Sequence, residues 1–224
     1  INKNEKILIV AAHPDDEILG CGGTIIKLKE NNEIQTVFLT NGVSSRSNKK
    51  TLISKRRNEC MSLFKYLNIK KPIFLNFPDN QLDKIPLLKI VKKLEKVIKS
   101  FKPKIVLTHY ENCLNIDHQI SFKATITACR PLKNVSVEEI LSFEVLSSTD
   151  WSLFQKKSFQ PNMYFNVTNQ IKEKIKALKF YKSEIRKYPH SRSLKALEAL
   201  AKVRGVASGC KYAEAFIIVR KVIK

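Results

Sequence analysis

Through the first 130 residues, short apolar runs alternate with segments of helical periodicity, and few folds accept that alternation. Strand-length runs fall at 6–12, 34–40, 72–77 and 104–108. The first is apolar at nearly every position, which marks a strand buried on both faces, the habit of parallel sheets. Between these runs, 50–67 and 87–101 read as amphipathic helices. In the second of them Leu88, Val91, Leu94, Val97, Ile98 and Phe101 recur at helical spacing. Another helix opens at Pro14 or Asp15, residue types suited to a first turn, and 120–129 reads as a helix stopped by Pro131. Strand alternating with helix implies right-handed β-α-β units. The expected fold class is therefore α/β, a doubly wound, mostly parallel, Rossmann-like sheet with helices on both faces.

The last third changes character. A strand is expected at 139–145, a polar irregular stretch at 147–161 and a basic amphipathic helix at 172–185. A further helix follows at 194–203, then an apolar closing strand or helix at 213–222. No linker or repeat marks a second domain. The 224 residues read as one domain, with an α/β core at 1–135 and a C-terminal extension at 136–224 on the same sheet.

The net charge of +21 points to a polyanion, an acidic membrane surface or an anionic substrate, or to coding bias toward Lys, Asn and Ile. Of the 41 basic residues only 8 are Arg, and they are scattered. Specific nucleic-acid readers cluster Arg on one face, so no specific nucleic-acid partner is expected. No apolar run approaches the roughly 20 residues of a membrane span, and no secretory leader pattern opens the chain. The expectation is a soluble, cytoplasmic protein whose basic surface permits peripheral membrane contact. Cys21, Cys60, Cys113, Cys129 and Cys210 form no C-x-x-C pair and read as reduced thiols.

Ligands of doubly wound sheets sit beyond the carboxyl ends of the strands, and there this sequence places acids and imidazoles. The first strand runs into His13-Pro14-Asp15-Asp16-Glu17, the third into Pro78-Asp79, and the fourth into His109 and then Asn115-Ile116-Asp117-His118. His13 and Asp16, three positions apart across a turn, can face one point, and His118 offers a third donor. Two His and one carboxylate leave an open position on zinc. Asp15 can accept a proton from water, and Asp117 can hold His118 in its ligating tautomer. Each residue alone has a structural explanation too, because acids at helix starts cap and single histidines pack.

The joint pattern resembles the PIG-L (LmbE-like) family of zinc-dependent N-acetylglucosaminyl deacetylases. The resemblance rests on Ala12-His13-Pro14-Asp15-Asp16-Glu17, Thr40-Asn41-Gly42, Arg57–Glu59 and Phe77-Pro78-Asp79, and continues through Asn115–His118, Arg130-Pro131 and Ala213-Glu214-Ala215-Phe216. It implies that His13, Asp16 and His118 bind Zn2+, that Asp15 is the general base, and that Arg57 and Asp79 bind sugar or support the site. Arg130 and Glu214 fit a buried structural pair as well as a catalytic role. The implied reaction is hydrolysis of an N-acetyl group from an amino sugar that is free, nucleotide-linked or lipid-linked.

Many family members carry a His where this chain has Asn115, and Asn cannot serve as an acid near neutral pH. Either Asp15 passes on its own proton or His109 supplies one. The T-H…L-N-x-D-H pattern resembles a branch associated with surface-polysaccharide and lipopolysaccharide glycosylation clusters. Two rival readings stay open: a deacylase of another small N-acyl compound, such as an N-acetylated thiol sugar, and a non-enzymatic polyanion-binding protein on the same fold. No heptad pattern speaks to the oligomeric state.

Overall fold

The computed structural model describes residues 1–45, 50–133, 135–152 and 158–223. Strands β1 (Lys6–Ala11), β2 (Glu33–Thr40), β3 (Ile73–Phe77), β4 (Ile105–His109), β5 (Glu139–Phe143), β6 (Met163–Asn166) and β7 (Ala213–Lys221) form one sheet, ordered β3-β2-β1-β4-β5-β7-β6. The first five are mutually parallel, and β7 runs antiparallel between β5 and β6. Helices are α1 (Asp16–Leu28), α2 (Lys50–Tyr66), α3 (Leu87–Phe101), α4 (Ile116–Ala128), α5 (Ile171–Leu178) and α6 (Leu194–Val206).

Alternation along β1 explains the two layers. Ile7, Ile9 and Ala11 join one buried cluster with residues of α1, α2, α5 and α6, while Leu8 and Val10 join another with α3 and α4. Strand order reverses between β1 and β4, so their carboxyl ends open the crevice where doubly wound sheets bind ligands. The register Ile9↔Leu107 brings the two ends level.

Two expectations need correction. The helix expected from 120 begins at Ile116, because Asn115 caps it by accepting the Asp117 N–H at 2.8 Å. The helix expected over 172–185 stops at Leu178. Beyond it, Tyr181 donates to Glu17 Oε1 at 2.6 Å and Glu184 pairs with Arg56 and Arg192, drawing the chain toward the strand ends. The closing segment is a strand, β7, and β6 lies where no element was expected.

The expected Arg130–Glu214 pair does not form. Arg130 lies on the surface, 3.2 Å from Glu95. Glu214 instead repairs a break in α1, where Cys21 leaves helical geometry at φ −140. Close packing accounts for the glycine beside that break, since a Cβ on Gly20 would lie 2.3 Å from the Phe143 ring. The Gly23 and Thr24 N–H groups donate to the Glu214 carboxylate at 2.8 and 2.7 Å. Lys174 Nζ donates to Leu19 O at 3.0 Å and contacts Glu214 at 2.6 Å. A buried ion pair thus replaces the helical bond that Gly23 N would make to Leu19 O.

Glu214→Ala strands two amides and the buried Lys174, an expected loss of about 3–5 kcal/mol. Urea unfolding of the variant checks this. A change below about 0.5 kcal/mol, the range of neutral surface substitutions, would contradict the account.

Candidate active site

β1 delivers His13 and Asp16 across one tight turn, and α4 delivers His118 from the loop after β4. Asp16 Oδ2 lies 3.0 Å from His13 Nδ1 and 3.3 Å from His118 Nε2, and those two nitrogens are 3.3 Å apart. Donor atoms bonded at about 2.0–2.1 Å to one tetrahedral ion stand roughly 3.3 Å from each other. The near-equilateral triangle therefore fits a single small divalent cation. The other Asp16 oxygen, Oδ1, is buried without a hydrogen-bond partner, as a second potential ligand atom would be.

Both imidazoles are held by their remaining nitrogens, which orients the first for Nδ1 and the second for Nε2 ligation. His13 Nε2 sits 3.1 Å from Asp79 Oδ1 and 3.2 Å from Asp117 Oδ2. His118 Nδ1 sits 3.2 Å from Cys113 Sγ and 3.4 Å from Ser148 Oγ. The expectation that Asp117 holds His118 is corrected: it holds His13, while its carboxylate accepts the Asn80 and Leu82 N–H groups at 2.7 and 3.0 Å. The reason is helical geometry, since adjacent residues project about 100° apart.

Asp79 serves the same ring. Its second oxygen accepts from the Ser45 hydroxyl and amide. Burial raises its pKa, but His13 and Ser45 outweigh that and hold it at about 2. With one oxygen on His13 and the other on Ser45, Asp79 supports the site.

Asp15 adopts φ 137, a conformation costly for any side chain. Three interactions fix it there. Its N–H donates to Glu17 Oε2 at 3.0 Å, its C=O accepts from Ile18 and Leu19, and Arg56 donates to the preceding Pro14 O at 2.9 Å. Its Oδ2 stands 3.2 Å from Arg192 Nη1 and 4.0 Å from Arg56 Nη1. Burial raises the carboxyl and the Arg192 charge partly offsets it, leaving a pKa of about 6, suited to a base at neutral pH. Glu17 is pushed up to about 8 by burial, so it is largely protonated and acts as a prop.

Two further expectations change. Arg57 lies on the exposed face of α2 with its guanidinium 4.6 Å from the Phe74 ring centroid. Arg56 is the inward one, 4 % exposed in its side chain and paired with Glu184. His109 is fully buried, stacked on His118 at 3.8 Å, and its Nε2 accepts the Ala12 N–H at 2.8 Å. Burial and the neighbouring His118 push its pKa well below the ordinary value. A neutral ring whose Nε2 is already accepting cannot be the general acid. Asn115 caps α4 and donates from Nδ2 to Asn80 at 3.0 Å.

Sequence reasoning passed over Arg56, Glu184 and Arg192. Arg192 and Glu184 carried no motif signal, and Arg56 was masked by its neighbour.

The model for the PIG-L family, described as GlcNAc-PI de-N-acetylase, matches residues 8–129. The chain belongs to the PIG-L family. A protein of Escherichia coli (strain K12), named as the uncharacterized deacetylase YaiS, is 31 % identical over 190 residues, covering 81 % of this chain and 93 % of that one. The diacetylchitobiose deacetylase of Thermococcus kodakarensis is 26 % identical over 95 % of this chain and 82 % of its own. The solved structure of the N,N'-diacetylchitobiose deacetylase from Pyrococcus horikoshii superposes with a TM-score of 0.77 over 96 % of this chain and 84 % of that one, at 23 % identity, showing the same fold. By family, then, the chain is an N-deacetylase, and among its described residues no helix is long and apolar enough to cross a membrane. The PIG-L match ends at residue 129, so Glu184 and Arg192 come to the site from beyond it.

Proposed function

We propose that the protein hydrolyses the N-acetyl amide of an amino sugar, with His13, Asp16 and His118 holding one zinc ion. The observation that carries the reading is the triangle of donor atoms with Asp15 beside it, its carboxylate buried yet not neutralised. A binding protein has no need of such a base, which disfavours the polyanion-binding alternative. The amino-sugar part draws on what the matched relatives are named for, diacetylchitobiose in one case.

Zinc bound by these three residues supplies Lewis-acid chemistry, polarising the acetyl carbonyl and acidifying water. The remaining work belongs to the chain. The Asp15 carboxylate takes a proton from the attacking water as the new C–O bond forms. When the C–N bond breaks, the same carboxyl returns that proton to the leaving nitrogen, giving a free amine and acetic acid, which ionises to acetate by releasing its proton to solvent. Arg192 aims Asp15 and keeps its anion accessible. Asp79 and Asp117 fix the His13 ring, and Cys113 with Ser148 fixes His118. His109, closed off by Ala12, packs the floor.

The test is acetate release from N-acetylglucosamine, N,N'-diacetylchitobiose and a nucleotide-linked N-acetylglucosamine. Activity is expected with at least one of them, lost on chelation and restored by zinc. No acetate from any of the three after zinc is restored would overturn the amino-sugar reading, and full activity after chelation would overturn the metal's part.

A further inference from the structure

Two loops of the C-terminal third meet at the site. Segment 147–152 carries Ser148, whose Oγ is 3.4 Å from His118 Nδ1. Segment 188–192 carries Arg192, which reaches Asp15. Side chains tie the two together: Arg192 Nε donates to Ser147 Oγ at 2.6 Å, and Ser191 Oγ donates to Asp150 Oδ2 at 2.6 Å. At the same junction the Trp151 indole meets the His190 ring in a T-shaped contact, centroids 5.6 Å apart.

Trp151 is 44 % exposed. Among the described residues it belongs to neither core cluster, and its ring contact is with His190. Its position is bounded by the chain. It lies three positions along the chain from Ser148, and His190 two positions from Arg192, backbone spans of at most roughly 10 and 7 Å. The indole thus sits on the two loops that carry Ser148 to His118 and Arg192 to Asp15.

We propose that Trp151, its plane fixed by His190, is the stacking platform for a sugar ring adjoining the N-acetylated one, so that the substrate is a saccharide of two or more rings. This rests on the amino-sugar reading above and specifies its substrate. A pyranose presents one face of C–H groups and a rim of hydroxyls. A flat indole covers the C–H face at little entropic cost, because only two side-chain torsions need fixing. Asp150, Ser191 and Arg192 lie in the same two loops and bring polar side chains to that junction. A half-exposed indole on the loops that reach the site is a surface a neighbouring sugar would occupy, and a free monosaccharide anchored at the metal would leave it uncovered.

Trp151 is the single tryptophan of the chain, so intrinsic indole fluorescence reports on this position alone. In the zinc-loaded, full-length Asp15→Asn variant, N,N'-diacetylchitobiose is expected to shift or quench the emission saturably, and N-acetylglucosamine to do so far less. In zinc-loaded enzyme, Trp151→Ala is expected to lower the disaccharide-to-monosaccharide ratio of kcat/KM about tenfold, mainly through KM, equivalent to about 1.4 kcal/mol of stacking. Trp151→Phe should recover most of that ratio. Unchanged emission with both sugars, or an intact ratio in Trp151→Ala, overturns the platform even if acetate is released. A saturable emission change for the disaccharide without acetate release by wild-type enzyme would retain the platform and overturn the hydrolase reading instead.

Discussion

His118→Ala is expected to purify with little bound metal and to show no acetate release above background. His118 Nε2 is one corner of a three-atom triangle, and the remaining two donors, His13 Nδ1 and Asp16 Oδ2, are too few to hold an ion that exchanges with buffer. Loss of groups that merely orient a ligand costs about 10–100-fold in metal affinity, so loss of a ligand itself costs more. Elemental analysis after dialysis gives the readout, with about one zinc per chain expected for wild type. Because the ring is buried and stacked on His109, a urea midpoint for the variant separates lost metal from lost fold. Asp16→Asn offers a second route to the same result without a cavity. A folded His118→Ala protein that keeps stoichiometric zinc and wild-type turnover would show that His118 is no ligand.

Asp15→Asn should do the opposite to the metal and nearly the same to the rate. Zinc content stays near wild type, while kcat falls by about 10²–10⁴-fold, the usual worth of a positioned base. The replacement is a fair one. Asn is among the residues that best tolerate positive φ, and Asp15 sits at φ 137. The change removes basicity and leaves a group that the Glu17 and Arg56 contacts can still hold. The base works as its anion, so wild-type activity is full above its pKa and declines as pH falls through it. That pKa is about 6 from burial and Arg192, and a bound cation lowers it further. The pH profile of kcat/KM should be level near pH 7 and fall at or below about 6. An Asp15→Asn enzyme with wild-type turnover would remove Asp15 from the chemistry.

The sequence by itself determined the sheet and the near half of the site. Apolar runs buried on both faces, alternating with helical periodicity, leave little besides a doubly wound α/β arrangement. His13 and Asp16 are legible because they are three residues apart on one turn, where local geometry alone lets both face one point. The third donor, His118, stands 105 residues from His13, and the sequence offered it through its place after the fourth strand and through the family pattern. The packing that brings it near comes from the β1–β4 pairing at the reversal of strand order.

What only the tertiary structure decided concerns direction. Arg56 and Arg57 are neighbours of one type, and a rotation of about 100° per residue sends one to Asp15 and the other to the surface. Asp117 turns to His13 instead of its neighbour His118 for the same reason. His109 carries the composition of an acid catalyst, yet burial and the Ala12 amide make it neutral, and burial is a property of the packed chain. Arg192 gave no signal because it falls between two expected helices with no motif around it, and Glu184 because it lies in a segment read as the tail of a helix. That helix ends early because Tyr181 and Glu184 find partners on α1 and α2 at the strand ends. Local spacing fixes which residues can share a turn. Which atoms of distant residues meet depends on the register and rotation of packed elements, and those are set by the whole core at once.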